Sequence, residues 1–328
     1  MYAIGNPLTD SIMDASHSVL EDLKAAPGSM NLVEAQIQSS IEARARIRIR
    51  VPGGSASNTA RGFAWLAEHL KATGPVYTGA VGRDSYGTQF ESMLRAAGVE
   101  PRLAFKDQPT GSSVILVTDD HERTMFTHLG ACRELVAEDI DSTLLAQSSL
   151  AYLTGYMWDT PNQEHAAHHI IETAARSGTP LAFDVADPFV AERYRDALMT
   201  YLPGKVSIFF ANLQEARSLA RLPKASPPEL FEALSHLAPH IVIKLGNQGC
   251  TVSTDKVRSY EPLPVQARDT TGAGDAFAGA YLFGITQKYS VDTCADLANR
   301  LAGQIVTVDG CDFDRVQIES VTDLVPGS

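Results

Sequence analysis

The feature that most constrains the fold is a series of short apolar segments in the second half of the chain. From about residue 150 the segments "SSLAYLTG", "TPLAFDV", "VSIFFAN" and "HIVIKLG" alternate with stretches of helical periodicity, such as "NQEHAAHHIIETAARSG". A continuous apolar run is typical of a strand that is covered on both faces. Strands that alternate with helices predict an α/β fold with a mainly parallel central sheet between helical layers.

Two further stretches alternate in character instead of being apolar throughout. In "ARIRIRV", at residues 45–51, the apolar residues share one face and the arginines the other, which predicts a half-buried strand. "TGSSVILVTDDHERTMFTHLG" predicts strands within residues 112–127 around a polar turn at 119–122. Together these strands predict a small β lid beside the main sheet, and residues 11–44 are expected to be mostly helical or irregular.

Composition excludes several classes of function. The 328 residues are 44% hydrophobic and 20% charged, which is an ordinary soluble composition and is long enough for one large α/β domain or two smaller ones. The net charge of −12 repels phosphate backbones, so no nucleic-acid partner is expected. The four cysteines form no C-x-x-C pair, and the N-terminus lacks the basic and apolar regions of a signal peptide. No apolar run reaches the length of a membrane span, so a cytoplasmic protein is expected.

The segment "RDTTGAGDAFAGAYLFG", residues 268–284, carries the strongest chemical signal. Its apolar spacing predicts a helix that begins around Gly274–Asp275. The first amides of a helix have no internal partners and carry partial positive charge, so they can hold a phosphoryl group. A carboxylate in that turn would repel the anion, which favours Asp275 as a base. Alternatively, the glycines form a plain turn and Asp275 caps the helix.

The chain resembles the PfkB, or ribokinase-like, family of carbohydrate and nucleoside kinases. The resemblance covers essentially the whole chain and rests on motifs that occur in the family's order: "PGGSASNTARGFAWL", "GAVGRDSYG", "ANLQEA", "KLGNQG" and "DTTGAGDAFAGAYLFG". It implies a single ribokinase-like domain over residues 1–328, with a three-layer α/β/α fold and a small β lid. It also implies an enzyme that transfers a phosphoryl group from ATP to an alcohol group.

The resemblance implies a catalytic role for the start of the C-terminal helix. Asp275 would be the general base that takes the proton from the acceptor hydroxyl. The backbone amides of Gly272, Ala273, Gly274 and Asp275 itself would form the anion hole for the transferring phosphoryl group.

The resemblance also implies how ATP and its metal are held. Asn212 and Glu215 would hold Mg²⁺ through its waters, which suits a cation that keeps several waters. The ATP site would be completed by Asn212 and by the following residues: Lys244, Gly246 and Gly249 in the nucleotide loop, and Asn299 and Gly303 on the adenine side. Asp269 and Thr271 match positions that bind a monovalent cation in many members, which makes K⁺ a candidate further cofactor.

The opening "GNPLTD" indicates how the acceptor is bound. At this place the family supplies an Asp that binds acceptor hydroxyls, here Asp10, and Asn6 belongs to the same segment. Gly54 and Asn58 would be its partners across the site. A carboxylate and an amide suit a vicinal diol, which offers both donors and acceptors.

Three segments resemble the adenosine kinase branch of the family in particular: "GNPLTD", "GCDF" at 310–313, and the lid strand "ERTMFTHLG". Arg123 in that strand could reach the phosphates when the lid closes. Tyr156, in "LTGYMWD", follows a strand at the edge where open α/β sheets bind ligands, and it could stack on a purine.

The expected reaction is therefore ATP-dependent phosphorylation of a primary hydroxyl of a ribose-containing nucleoside, with the nucleoside and ATP as small-molecule partners. A kinase of free sugars (ketose, ribose or 2-keto-3-deoxygluconate) would use the same catalytic loop and stays open. So does a catalytically silent sensor of nucleosides or sugars, although the intact loop and the Asn212/Glu215 pair argue against it. The chain is expected to be a monomer or a homodimer.

Two clusters of charged or metal-binding residue types remain. His165, His168 and His169 share one helix face and could ligate a metal, but a solvated helix face is favoured. Arginines line one face of the 45–51 strand, and a solvated lid face or a subunit contact is favoured there over nucleic acid. They are Arg44, Arg46, Arg48 and Arg50.

Overall fold

The computed structural model describes residues 1–44, 46–120 and 122–323. Ala45, at the start of the predicted 45–51 strand, and His121, in the predicted polar turn, lie outside the described residues. The strands in chain order are β1 (Tyr2–Ile4), β2 (Leu8–Asp14), β3 (Met30–Leu32), β4 (Ile47–Gly53), β5 (Val76–Gly82), β6 (Glu100–Lys106), β7 (Gly111–Val117), β8 (Arg123–His128), β9 (Ala151–Thr154), β10 (Leu181–Asp184), β11 (Ile208–Asn212), β12 (His240–Lys244), β13 (Cys250–Ser253) and β14 (Val257–Tyr260). The α-helices are α1 (His17–Asp22), α2 (Ala35–Glu42), α3 (Ser55–His69), α4 (Ser85–Ala96), α5 (Ser142–Gln147), α6 (Pro161–Ser177), α7 (Pro188–Arg193), α8 (Arg195–Tyr201), α9 (Leu213–Ala220), α10 (Pro227–Leu234), α11 (Ala273–Thr286), α12 (Val291–Ile305) and α13 (Glu319–Thr322).

The main sheet confirms the predicted parallel arrangement. Its nine strands run in the order β14-β13-β12-β11-β10-β9-β1-β5-β6, and antiparallel pairs occur at β12–β13 and β13–β14. The short N-terminal strand β1 lies inside the sheet, where Ala3 pairs in parallel with Tyr77 of β5 and Tyr152 of β9. Because the parallel strands point the same way, the loops that leave their carboxyl ends share one edge of the sheet.

Helices cover both faces of this sheet and complete the predicted three layers. Helices α3, α4, α11 and α12 pack on one face, where Phe63 and Phe283 meet edge to face with ring centroids 5.4 Å apart. Helices α5 to α10 pack on the other face around residues such as Ile170 and Phe209. Burying each of these large side chains contributes roughly 1.5–3 kcal/mol to the stability of the fold. Within the described residues, no helix is both long and apolar enough to cross a membrane.

A second, five-stranded sheet forms the lid, in the order β3-β8-β7-β2-β4. One face of the lid packs on α1 and α2 through an apolar cluster that includes Met13, Ile41 and Phe126. The small sheet is as predicted, but β3 and most of β2 lie in the region expected to be helical or irregular, and that expectation is wrong there. β2 carries polar residues on both faces and β3 has only three residues, so neither shows an apolar alternation.

The strand predicted over 45–51 is β4, which is displaced to Ile47–Gly53. The prediction that its apolar face is buried is wrong, because Ile49 is 46% exposed. β4 is an edge strand, and its pairing with β2 shifts register at Ile12/Met13. Its arginines form ion pairs on the lid surface, with Arg48 3.2 Å from Asp14. Charged side chains on an edge strand oppose its pairing with other chains.

Candidate active site

A cavity of about 480 Å³ lies between the carboxyl edge of the main sheet and the inner face of the lid. Most of the residues singled out from the sequence line it. They are Asn6, Asp10, Gly54, Asn58, Arg123, Tyr156, Asn212, Glu215, Lys244, Gly246, Thr271, Gly272, Gly274 and Asp275. The cavity is of the size that holds a small-molecule ligand.

Asp275 lies in the first turn of α11 and is held by two donors from α3. Ser55 Oγ donates to Asp275 Oδ1 at 2.7 Å, and Asn58 Nδ2 donates to Asp275 Oδ2 at 3.0 Å. Burial raises the pKa of Asp275, whereas these two hydrogen bonds and the nearby Lys244 ammonium lower it. The donors therefore favour the ionised carboxylate, which is the form that can accept a proton.

The backbone at Gly272 explains how the start of α11 is exposed to the cavity. Gly272 has φ +70°, and a Cβ there would lie 2.6 Å from Cys311 Sγ, so only glycine fits. The helix begins at Ala273, slightly earlier than predicted, and the Ala273 amide donates to the Thr270 carbonyl at 3.3 Å. The amides of Gly272, Gly274 and Asp275 donate to no acceptor among the described residues, and they are free to bind an anion.

A buried lysine lies beside this helix start. Lys244, the last residue of β12, donates to Asp184 Oδ2 at 2.7 Å. Its Nζ lies 3.5 Å from the position that a Cβ on Gly274 would occupy. Burial alone would lower the pKa of Lys244, but the Asp184 and Glu215 carboxylates raise it above its ordinary value. A permanent positive charge is thus held next to the free amides.

Asn212 and Glu215 form a reciprocal cap at the start of α9. Asn212 Nδ2 donates to Glu215 Oε1 at 2.6 Å, and the Glu215 amide donates to Asn212 Oδ1 at 2.8 Å. The Asn212 amide donates to the other carboxylate oxygen at 2.7 Å. Burial raises the pKa of Glu215, and the Lys244 charge opposes that effect. Both side chains face the cavity, but their mutual bonds favour contact with a metal through waters.

Asp10, on lid strand β2, lies at the acceptor end of the cavity. Its carboxylate rests against Gly53, where a Cβ would lie 2.1 Å from Asp10 Oδ2. No described hydrogen bond uses this carboxylate, so its lone pairs are available to a ligand. Burial raises the pKa of Asp10 to about 7, although the Arg123 charge opposes the shift. Gly54 has φ +95°, and a Cβ there would lie 2.2 Å from the Asn6 carbonyl oxygen.

Tyr156 lies just after β9, and its side chain forms a hydrogen bond within the protein. Its hydroxyl donates to Asp187 Oδ2 at 2.9 Å, and the Phe189 amide donates to Asp187 Oδ1 at 2.7 Å. Trp158, in the same short helical turn, is buried against Phe183 with ring centroids 5.6 Å apart. The remaining cavity wall on this side and on the lid is mostly apolar: Leu8, Met30, Leu32, Ile115, Met125, Leu129, Ala186 and Phe189.

Asn299 and Gly303, predicted for the adenine side, and Gly249, predicted for the nucleotide loop, all lie against the 260–263 segment. Asn299 Nδ2 donates to the Glu261 carbonyl at 3.0 Å. A Cβ on Gly249 would lie 2.0 Å from the Tyr260 carbonyl oxygen, and one on Gly303 would lie 2.9 Å from Leu263 Cβ. These residues bracket the 260–263 segment, whereas Lys244 and Gly246 line the cavity.

Asp269 and Thr271, predicted as candidate K⁺ ligands, are bonded to each other and to the lid. Asp269 Oδ1 accepts from the Thr271 amide at 2.9 Å and from Thr271 Oγ1 at 2.6 Å. Asp269 Oδ2 accepts from the Gly310 amide at 2.7 Å, and Arg123 NH1 is 2.5 Å from Oδ1. Burial would raise the pKa of Asp269, but these bonds and the Arg123 charge hold it below its ordinary value.

Of the three histidines, only His165 is exposed, whereas His168 and His169 are half-buried against other parts of the chain. His168 stacks on Tyr201 with ring centroids 3.7 Å apart, and His169 Nε2 bonds Ser142 Oγ at 2.7 Å. Among the residues that the structure describes, no group of three or more His, Cys, Asp or Glu side chains could hold a metal ion.

Sequence reasoning missed three polar residues of the site. Ser55 stands inside the quoted "PGGSASN" motif, and its position at the start of α3 beside Asn58 was the available signal. Asp184 ends an apolar strand, where a carboxylate has no reason to be unless it meets a buried cation. Asp187 lines the cavity, but no motif marked it.

A buried carboxylate beside free helix amides and a buried lysine is an arrangement suited to phosphoryl transfer in an α/β fold. The chain belongs to the pfkB family of carbohydrate kinases, whose family model matches residues 33–317. This membership confirms the resemblance drawn from the sequence motifs. It also confirms the prediction of an ATP-dependent kinase that phosphorylates a hydroxyl group.

Individual relatives agree with this family membership. An adenosine kinase of Saccharomyces cerevisiae is 27% identical over 332 residues, which cover 92% of this chain and 93% of the yeast protein. The crystal structure of an adenosine kinase from Sinorhizobium meliloti has a TM-score of 0.88 and 33% identity, covering 98% of this chain and 97% of that one. The crystal structure of a probable sugar kinase from Rhizobium etli has a TM-score of 0.89 and 31% identity, covering 98% and 96%.

Proposed function

We propose that this chain is an adenosine kinase-like enzyme, which transfers the terminal phosphoryl group of ATP to the primary hydroxyl of a ribose-containing nucleoside. The observation that carries the proposal is the composition of the cavity. A hydroxyl-binding carboxylate, Asp10, and a base, Asp275, share it with a large apolar wall. Similar proteins that are named adenosine kinases support the same conclusion.

The acceptor end fits a nucleoside in its polar and apolar parts. The Asp10 carboxylate makes no hydrogen bond within the described part of the chain, so it can accept hydrogen bonds from two hydroxyl groups. The vicinal diol of a ribose would supply both. The apolar wall, including Met30, Leu32 and Met125 of the lid, would cover the flat faces of a base. A free sugar has no comparable apolar surface, so this wall favours a nucleoside. Tyr156, bonded to Asp187, borders the same space and keeps its ring available for stacking.

The proposed chemistry begins with proton transfer to Asp275. The acceptor's primary hydroxyl would lie within hydrogen-bond reach of that carboxylate. Burial raises its pKa, and the hydrogen bonds from Ser55 and Asn58 oppose that rise and favour the ionised form. As the hydroxyl oxygen attacks phosphorus, its proton passes to Asp275 and the bond to the ADP oxygen breaks. The side chain then returns the proton to solvent when the lid opens.

Charge on the transferring group would be stabilised by groups already in place. The free amides of Gly272, Gly274 and Asp275 face the cavity at the positive end of α11, and Lys244 lies beside them. In this proposal Ala273 supports the turn, because its amide is used within the chain. Arg123 lines the cavity from the lid, where its charge is paired with Asp269.

The side chains of Asn212 and Glu215, where β11 ends and α9 begins, suit a bound Mg²⁺. When bound with ATP it would neutralise phosphate charge. Asn212 and Glu215 would hold it through waters, since their own atoms are bonded to each other and face the cavity. Gly246, in the predicted nucleotide loop after β12, also lines the cavity. The proposed adenine side, at Asn299 and Gly303, lies against the 260–263 segment, which would border the bound base.

The arrangement at Asp269 and Thr271 does not fit a monovalent cation site. Both Asp269 oxygens accept hydrogen bonds, and the Arg123 guanidinium supplies the positive charge that a cation would otherwise supply. We therefore derive no step that involves K⁺.

A kinase of free sugars is the second candidate, because a probable sugar kinase is as similar in structure as the adenosine kinase. ADP release from Mg-ATP would be measured with adenosine, other nucleosides, ribose, fructose and 2-keto-3-deoxygluconate. Preference for adenosine supports the proposal. Preference for a free sugar would overturn it while leaving the catalytic groups unchanged. Asp275→Asn serves as the control for ADP release that does not use the site.

A further inference from the structure

A buried glutamine outside the cavity contacts one of the residues that line it. Gln163, on α6, is fully buried and is absent from the cavity lining. Its Nε2 donates to Asn6 Oδ1 at 2.6 Å. Asn6 lines the cavity and is 9% exposed. The two residues are 157 positions apart in the chain, so the fold brings them together.

The start of α6 fixes which end of the Gln163 amide points at Asn6. Thr160 is the N-cap residue of the helix, and its Oγ1 accepts the Gln163 backbone N–H at 3.4 Å. The hydroxyl proton is then left to donate, and it bonds Gln163 Oε1 at 3.1 Å. Since the oxygen of the amide is taken by Thr160, the nitrogen is the end left for Asn6.

The direction of this chain of bonds sets the orientation of the Asn6 side chain. An amide nitrogen can only donate, so Gln163 requires Asn6 to present its oxygen toward α6. The Asn6 nitrogen is left over, and no hydrogen bond within the described residues uses it. The Asn6 Nδ2 group is therefore the end of this side chain that is left free to donate to an occupant of the cavity.

We propose that Gln163 is a positioning residue that sets the hydrogen-bond polarity of Asn6, so that the acceptor substrate must present a lone-pair atom to it. This inference rests on the proposed function and deepens its account of specificity. A purine nucleoside offers ring nitrogens and ribose oxygens as such atoms, whereas an exocyclic amine placed there would meet another donor.

The first test separates this role from general support of the fold. Gln163→Met fills the same volume but removes the donor to Asn6. We expect the KM for adenosine to rise by about tenfold, with kcat within about twofold and the KM for ATP unchanged. Asn6→Ala should raise the same KM, and in that background Gln163→Met should add almost nothing. An equal effect of Gln163→Met in both backgrounds would overturn the proposal.

Matched variants keep the test valid if Gln163→Met folds poorly. Thr160→Ala removes the hydroxyl that orients Gln163, and Thr160→Ser keeps it, so the KM for adenosine should rise only in the alanine variant. Thr173→Val is the matched control on α6. It removes a different hydrogen bond, which Arg176 donates to Thr173 Oγ1 at 3.1 Å, and it should leave the KM for adenosine unchanged. A rise with Thr173→Val as large as with Thr160→Ala would contradict the proposal.

The second test identifies the substrate atom. Adenosine would be compared with its 3-deaza, 7-deaza, 2′-deoxy and 3′-deoxy analogues, each of which lacks one lone-pair atom. Wild-type protein should discriminate against both deoxy analogues because Asp10 binds the diol. Gln163→Met should lose most of the discrimination against one of the four analogues, the one that lacks the atom facing Asn6, and keep the rest. Identical ratios in both proteins for all analogues would overturn the inference. If the wild-type protein phosphorylates a sugar and not adenosine, the proposed function fails, but the coupling of Gln163 to Asn6 is still measurable with that sugar.

Discussion

Arg123 on lid strand β8 and Asp269 in the segment before α11 form an ion pair, with 2.5 Å between NH1 and Oδ1. The two side chains are only 16% and 9% exposed. Asp269 also accepts from Thr271, which lies at the start of the anion-binding turn. The pair thus joins the lid to the turn that we propose holds the transferring phosphoryl group. One carboxylate contacts both elements.

The first prediction concerns this ion pair. Because Arg123 neutralises Asp269, turnover of the wild-type protein should be the same in K⁺ and in Na⁺ buffers of equal ionic strength. Arg123→Met leaves a buried carboxylate without its charge partner, so we expect kcat to fall at least about tenfold. Arg48→Met, which removes an exposed lid ion pair with Asp14, is the matched control and should change kcat little. Strong activation of the wild-type protein by K⁺ would contradict this account.

The second prediction concerns the base. Asp275→Asn keeps the size of the side chain but cannot accept the proton, so kcat should fall by about 10²–10⁴-fold. ATP affinity, measured by calorimetry, should be unchanged within about threefold, since Lys244 and the helix amides are untouched. Turnover near the wild-type level would show that another group takes the proton.

The third prediction follows from the raised pKa of Asp10, about 7 in the ligand-free protein. The ionised carboxylate can accept a hydrogen bond from each of two hydroxyls, whereas the protonated form has one oxygen that donates. We therefore expect kcat/KM for the acceptor to fall as the pH drops below about 7. The expected limiting slope is about tenfold per pH unit. Asp10→Asn should lower kcat/KM and remove this limb from the pH profile. A wild-type profile that stays flat from pH 8 to pH 5.5 would contradict the role of Asp10.

The fourth prediction concerns stability and the same residue. The pKa of Asp10 rises from 3.8 to about 7 on folding, so the folded state binds a proton more tightly than the unfolded chain. The folded state therefore loses stability as the pH rises from about 4 to about 7, and above about pH 7 the loss is complete at no more than about 4 kcal/mol. Asp10→Asn should raise the Tm at pH 8, and the gain should shrink toward pH 5. A Tm below wild type at pH 8 would show that the carboxylate stabilises the empty site.

The fifth prediction concerns Ser55, which donates to Asp275 at 2.7 Å and lowers the pKa of the base. Ser55→Ala removes that donor, so the pKa of Asp275 should rise and the acidic limb of the kcat profile should move to higher pH. Ser55→Thr keeps a hydroxyl and should restore most of the wild-type profile. If the acidic limb stays in place in Ser55→Ala, the hydrogen bond does not tune the base.

The fold was largely predictable because its strands are either continuously apolar or regularly alternating. The segments around β9 to β12 show that pattern, and each proved to be a parallel strand of the main sheet. The lid strands β2 and β3 were not predictable in the same way. β2 carries Asp10, Ser11 and Asp14 within seven residues, and pairing with neighbouring strands overrides this local polarity.

The site was predictable where a motif keeps its residues close in sequence. Gly272 to Asp275 lie in one turn, and Asn212 with Glu215 spans one helix start. Contacts such as Ser55 with Asp275 and Gln163 with Asn6 join residues more than 150 positions apart, and only the folded chain shows them. The roles of all these residues remain predictions, as do the single domain and the monomer-or-homodimer state.

The most direct test of the central claim is to identify the product formed from adenosine and Mg-ATP. The purified protein would be incubated with both, and nucleotides separated and assigned by mass and by phosphorus NMR coupling to the ribose. We predict a monophosphate on the primary hydroxyl of adenosine, formed together with an equal amount of ADP and absent with Asp275→Asn. Formation of ADP with no phosphorylated nucleoside, alongside rapid phosphorylation of a free sugar, would contradict the nucleoside assignment.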